Sequence, residues 1–125
     1  MKDFKEYIKF PLSLHHGKVF TSNNSMAFDF AFRFLYPDGM IISEEQQAII
    51  VDILNGNTIK KIQTSGLTLK NDGIIYFDDK VFIIIRGWGN LTGIGGFHLS
   101  SDEAAKIQDE FAKYIINTLQ EFTNL

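Results

Sequence analysis

Cysteine is absent from the 125 residues, and with it go disulfides, thiolate nucleophiles, iron–sulfur clusters and thiolate zinc sites. A chain built without disulfides suits a reducing compartment, so a cytoplasmic location is expected. Proline occurs only at Pro11 and Pro37, so no proline-rich linker divides the chain. Long hydrophobic runs are missing too. The longest, Val81-Phe82-Ile83-Ile84-Ile85, falls far short of the ~20 residues that cross a bilayer. Asp3, Lys5, Glu6 and Lys9 interrupt the opening stretch where a secretory leader needs apolar residues, so neither a leader nor a membrane partner is expected. Excess positive charge is also lacking. With 12 basic and 15 acidic residues the formal charge is -3, the wrong sign for a nucleic-acid footprint.

What remains is the composition of one ordinary globular domain, 45% hydrophobic and 22% charged, with no internal repeat or low-complexity segment. A single domain over residues 1–125 follows, long enough to bury one core.

Phe4, Tyr7 and Ile8 recur at helical spacing, predicting a short helix over residues 3–10 whose apolar edge docks. Residues 26–34 alternate instead: Met26, Phe28, Phe30, Phe32 and Phe34 against Ala27, Asp29, Ala31 and Arg33. A helix would scatter the four phenylalanines, whereas a strand lines them along one face, which is expected to be core. Residues 18–21 with the turn Ser22-Asn23-Asn24-Ser25 make this strand half of a hairpin, and Tyr36-Pro37-Asp38-Gly39 reverses the chain after it.

Ser43 with Gln46 three residues on is a capping box, and Asn55-Gly56 supply a left-handed stop, so a middle helix spans the interval. Residues 67–69, 74–77 and 81–86 read as an antiparallel meander, separated by Asn71-Asp72-Gly73 and Asp78-Asp79-Lys80. A fourth strand over residues 94–98 returns from a glycine-rich segment. Ser100 or Ser101 then caps a long C-terminal helix with the stripe Ala104, Ile107, Phe111, Tyr114, Ile115, Leu119 and Phe122. Asp102/Lys106 and Asp109/Lys113 pair on its polar side. The fold class expected is α+β: an antiparallel sheet of about five to six strands, with both helices on one face.

The segment 86–98 holds five of the ten glycines, the only tryptophan, one of two arginines and one of three histidines. If the preceding strand continues, Phe82, Ile84, Arg86 and Trp88 share a face, and the bare glycines let a ligand approach the other. Arg86 would clamp a carboxylate or phosphate, Trp88 would stack, and Asn90, Thr92 and His98 would hydrogen-bond. The competing reading is a bulged strand and tight hairpin with Trp88 in the core.

Other chemistries find no template. Gly87-Trp88-Gly89-Asn90-Leu91-Thr92 lacks the third glycine of GxGxxG, Gly17-Lys18 has no upstream glycine to make a phosphate loop, and no HExxH or GxSxG occurs. His15 and His16 are neighbours whose side chains diverge on an extended strand, which makes joint metal coordination awkward. No catalytic residue, metal or cofactor is therefore assigned. The pairing of Ile84-Ile85-Arg86-Gly87-Trp88-Gly89-Asn90-Leu91-Thr92-Gly93 with Asp102-Glu103-Ala104-Ala105-Lys106-Ile107-Gln108-Asp109 resembles small uncharacterised proteins of Bacteroides-type gut bacteria and their mobile elements. That resemblance implies a bacterial source and carries over no site. The functional expectation is a non-enzymatic interaction module, a homodimer or the binder of another protein, making contact through the terminal helix or an edge strand. The alternative is a small-molecule-binding protein or enzyme using Arg86, Trp88, Asn90, Thr92 and His98; nucleic-acid binding ranks below both.

Overall fold

Hairpins organise the sheet. Strand β1 (Ser13–His15) turns into β2 (Lys18–Phe20) through His16 and Gly17, whose φ angles of 51° and 79° make a two-residue turn matched to strand twist. β2 pairs with β3 (Met26–Phe30), and β4 (Leu67–Leu69), β5 (Ile74–Phe77) and β6 (Lys80–Ile85) form the second meander. β3 and β6 join the two halves, giving one six-stranded antiparallel sheet in the order β1-β2-β3-β6-β5-β4. Helix α1 (Glu44–Leu54) lies between β3 and β4 in the chain, and α2 (Ser101–Glu121) ends it. The computed structural model describes residues 4–57, 67–69, 73–77, 79–85, 92–94, 97–98 and 101–121.

Both helices bury their apolar sides in one cluster with one sheet face, so the α+β architecture expected from the sequence is the one observed. Ile50, Val51, Ile53 and Leu54 of α1 and Ile107, Phe111, Ala112, Ile115 and Leu119 of α2 meet Val19, Phe28, Phe30, Ile75 and Ile83 from the strands. The N-terminal helix is shorter than its spacing predicts, a 3-10 turn over Phe4–Glu6, yet Phe4, Tyr7 and Ile8 are buried as expected. On the other sheet face Ala31, Val81 and Ile84 form a second, smaller cluster flanked by Tyr36, Ile74 and Tyr76.

A β-bulge corrects one expectation about side-chain direction. Tyr76 pairs with Val81 and Ile75 with Ile83, leaving Phe82 as the extra residue on β6. The bulge resets the alternation. Phe82 and Ile83 both enter the main core, and Ile84 joins the opposite cluster. Phe82 and Ile84 therefore do not share a face. The expected fourth strand is also corrected: β7 (Thr92–Ile94) and β8 (Phe97–His98) pair with each other in a separate two-stranded sheet.

The caps predicted for α1 are present, while Ser100, expected to cap α2, lies outside the described residues. Ser43 Oγ accepts from the Gln46 N–H at 3.2 Å, with Glu44 and Glu45 in the first turn where the helix dipole favours them. At the far end Gly56 takes φ 76°, its N–H reaches the Ile53 carbonyl, and the Asn57 N–H reaches that of Asp52. That double closure satisfies carbonyls the helix leaves orphaned. Tyr114 of α2 donates to the Leu54 carbonyl at 2.7 Å. Burial raises its phenol pKa, against a smaller opposing effect of its hydrogen bond with Thr118. The Asp109/Lys113 pair forms at 2.9 Å, and chiefly the Asp109 hydrogen bond, with its charge, raises the Lys113 pKa.

Asn55 connects the N-terminal segment to α1. Its Nδ2 donates to the Leu12 carbonyl at 2.9 Å and its Oδ1 accepts from the Leu12 N–H at 2.7 Å, so one side chain pairs with both polar groups of a buried residue's backbone. Asn55→Ala removes both partners at once and is expected to cost about 2–3 kcal/mol. Urea denaturation at constant m-value checks this, and a loss under about 0.5 kcal/mol would show that water replaces the amide without cost.

Candidate functional site

The sequence-predicted site falls mostly outside the described residues. Arg86, Trp88 and Asn90 lie there, and so do most of the segment's glycines. Thr92 and His98 lie on β7 and β8, where the register sets them directly opposite each other. Backbone pairing thus brings two of the five candidates together.

A different surface stands out where the phenylalanine row leaves the sheet. The strand stops at Phe30, although the Ala31 N–H still donates to the Phe82 carbonyl at 2.9 Å. The chain then rises into turns. Tyr36 N–H reaches the Phe32 carbonyl, and Gly39 N–H reaches that of Tyr36 at 2.7 Å. It returns to the sheet at Met40, whose N–H donates to the Val81 carbonyl at 2.6 Å, while Val81 N–H donates to Asp38. Gly39 is required at the return, because a Cβ there would sit 2.8 Å from the Tyr36 carbonyl oxygen.

This excursion is tied to β6 at both ends and carries its large apolar side chains outward. Phe34 is 90% exposed, Ile41 59%, Leu35 53% and Phe32 39%. Phe28 and Phe30 join the core as expected. Phe32 and Phe34 do not, because the alternation that would have carried them inward ends with the strand.

Beside the patch lies an open cleft of about 270 Å³ between the β1–β2 turn, the end of β3 and the N-terminus of α1. Phe32 and Ile41 belong to its wall, so cleft and patch are continuous. Its polar groups are His16, Lys18, Asp29, Glu44 and Gln47. The Phe30 N–H donates to the Gly17 carbonyl at 2.9 Å and holds the turn against the strand. Asp29 is buried, and Lys18 is its cross-strand neighbour. Gln47 Nε2 donates to the Ile42 carbonyl at 3.1 Å, and its buried Oε1 has no hydrogen-bond partner among the described residues. The cleft is rich in acceptors. It holds no thiol or activated hydroxyl, and no group of three His, Asp or Glu suited to a metal occurs among the described residues.

The surface left by α2 is of another kind. Asp102, Glu103, Lys106, Asp109, Lys113 and Asn117 are exposed, while Ala104, Ile107, Phe111, Ile115 and Leu119 are buried. These five residues of the stripe read from the sequence serve the core, Tyr114 packs part-buried against it, and Phe122 lies outside the described residues. No helix among the described residues is long and apolar enough to cross a membrane. Compared with family models, curated proteins and solved structures, the chain matches none.

Proposed function

We propose that the protein is a small, non-enzymatic interaction module that associates with a second copy of itself through the apolar patch at Phe32, Phe34, Leu35 and Ile41. The observation that carries this reading is that all four protrude from one short segment hydrogen-bonded to the sheet at both ends. A fully exposed phenylalanine presents on the order of 200 Å², so the four residues together expose on the order of 400 Å² of apolar surface. A standard interface takes about 800 Å² from each partner, of which roughly 60% is apolar. The patch has the size of such an interface's apolar part. Burial by a second copy is the arrangement homo-oligomers adopt most often, a two-fold axis placing the same patch on both sides.

A bacterial source and a cytoplasmic location belong to the same reading, on the resemblance of the C-terminal part and on the absence of cysteine. Sedimentation velocity from low to high micromolar concentration tests it. A species of twice the 14.2 kDa chain mass is expected to grow with concentration. A 14.2 kDa monomer throughout the series would contradict the proposal.

A further inference from the structure

We infer that in the self-associated form Arg33 of each copy docks into the acceptor-lined cleft of the other. The inference rests on the reading above and names the polar contact that would fix its register. Arg33 is exposed between Phe32 and Phe34, in the middle of the patch, and makes no ion pair among the described residues. The cleft that opens onto the same patch carries two carboxylates, Asp29 and Glu44, against one ammonium, Lys18. Its formal balance is one negative charge, and Arg33 brings one positive charge.

Chemistry favours a guanidinium as the occupant. A guanidinium offers five N–H donors in a rigid plane and matches an exposed carboxylate such as that of Glu44 with two parallel hydrogen bonds. Phe32 lines the same cleft and, 39% exposed, offers a ring on which that plane can stack. An apolar patch alone lets two copies slide. A charged group entering a complementary cleft on each side of a two-fold axis selects one register and is made twice.

The test is a charge exchange. Arg33→Glu and Glu44→Arg are each expected to weaken self-association about tenfold or more, because each sets like charges against one another. The double variant Arg33→Glu/Glu44→Arg is expected to restore it to within about threefold of the parent. Both side chains are exposed, so the variants are expected to keep the parent's circular dichroism, with a melting temperature lowered by no more than a few degrees in Glu44→Arg, which gives up a favourable charge in the first turn of α1. Single variants without effect, or a double variant no tighter than the singles, would overturn the pairing. If that happens while Phe34→Asp still yields monomers, the patch stands and the Arg33 contact falls; a parent chain that never associates removes both.

Discussion

Phe111→Ala is expected to lower the thermal midpoint by about 10–20 °C, the largest stability loss available from one side chain at this core's centre. Phe111 is fully buried on α2. Its ring centroid lies 5.8 Å from that of Phe4 and 6.0 Å from that of Phe28, so it joins the C-terminal helix, the N-terminal turn and the middle of the sheet. Removing a buried phenylalanine costs about 3–5 kcal/mol, the transfer energy plus the cavity. A domain of this size has about 5–15 kcal/mol in total. Collapse of the neighbours into the gap is opposed on every side, since Phe4 also contacts Phe10 and Tyr114, and Phe28 contacts Phe30. Calorimetry of the purified variant measures the shift. A change under about 3 °C would mean that Phe111 does not occupy the centre of the core.

Phe34→Asp has the opposite signature: stability within about 0.5 kcal/mol of the parent and loss of self-association. Phe34 and Phe28 belong to the same alternating row, but one is 90% exposed and the other fully buried. A carboxylate in place of Phe34 gives up no core contact. At a two-fold interface it would place two uncompensated charges in a desolvated centre, which costs far more than losing the ring. Sedimentation and melting of one preparation read both quantities. A variant that unfolds would show Phe34 to be structural, and one that still associates would move the interface elsewhere.

Much of the fold was legible because local chemistry and tertiary packing agree. Ser43 caps α1 as its spacing predicts, Gly56 stops the helix in the left-handed region, and the stripe from Ala104 to Leu119 is buried along α2. Gly73, at φ 75°, and Asp79, at φ 64°, supply the positive φ angles that the Asn-Asp-Gly and Asp-Asp-Lys signals imply. The His16-Gly17 turn was missed for a physical reason. Positive φ is uncommon for residues other than glycine, so His15-His16 read as extended chain instead of leading into the tip of a hairpin.

The patch was less legible, since exposure depends on where the strand leaves the sheet. Leu35 already breaks the alternation, and Tyr36-Pro37-Asp38-Gly39 follows at once, a turn signal strong enough to end the strand before Phe34. Taken together these residues would have placed Phe34 and Leu35 in a turn. They would not have shown that the turn points away from the core, which the hydrogen bonds of Ala31 and Met40 to β6 decide. The cleft was beyond sequence reasoning altogether. Its residues are drawn from β2, β3 and α1, and the bulge opposite Tyr76 that reverses Ile84 relative to Phe82 leaves no local signature in an unbroken apolar run.

The central claim is that one surface, residues 32–41, makes the contact between copies. A dilution series of amide nitrogen–proton correlation spectra tests it most directly, because it reads where association occurs as well as whether it does. The account predicts concentration-dependent shifts at Phe32, Arg33, Phe34, Leu35 and Ile41, extending to the cleft at Gly17 and Glu44, with Asp109 and Lys113 on the outer face of α2 unmoved. Shifts confined to α2 or to the β1 edge, or a spectrum that does not change on dilution, would contradict it.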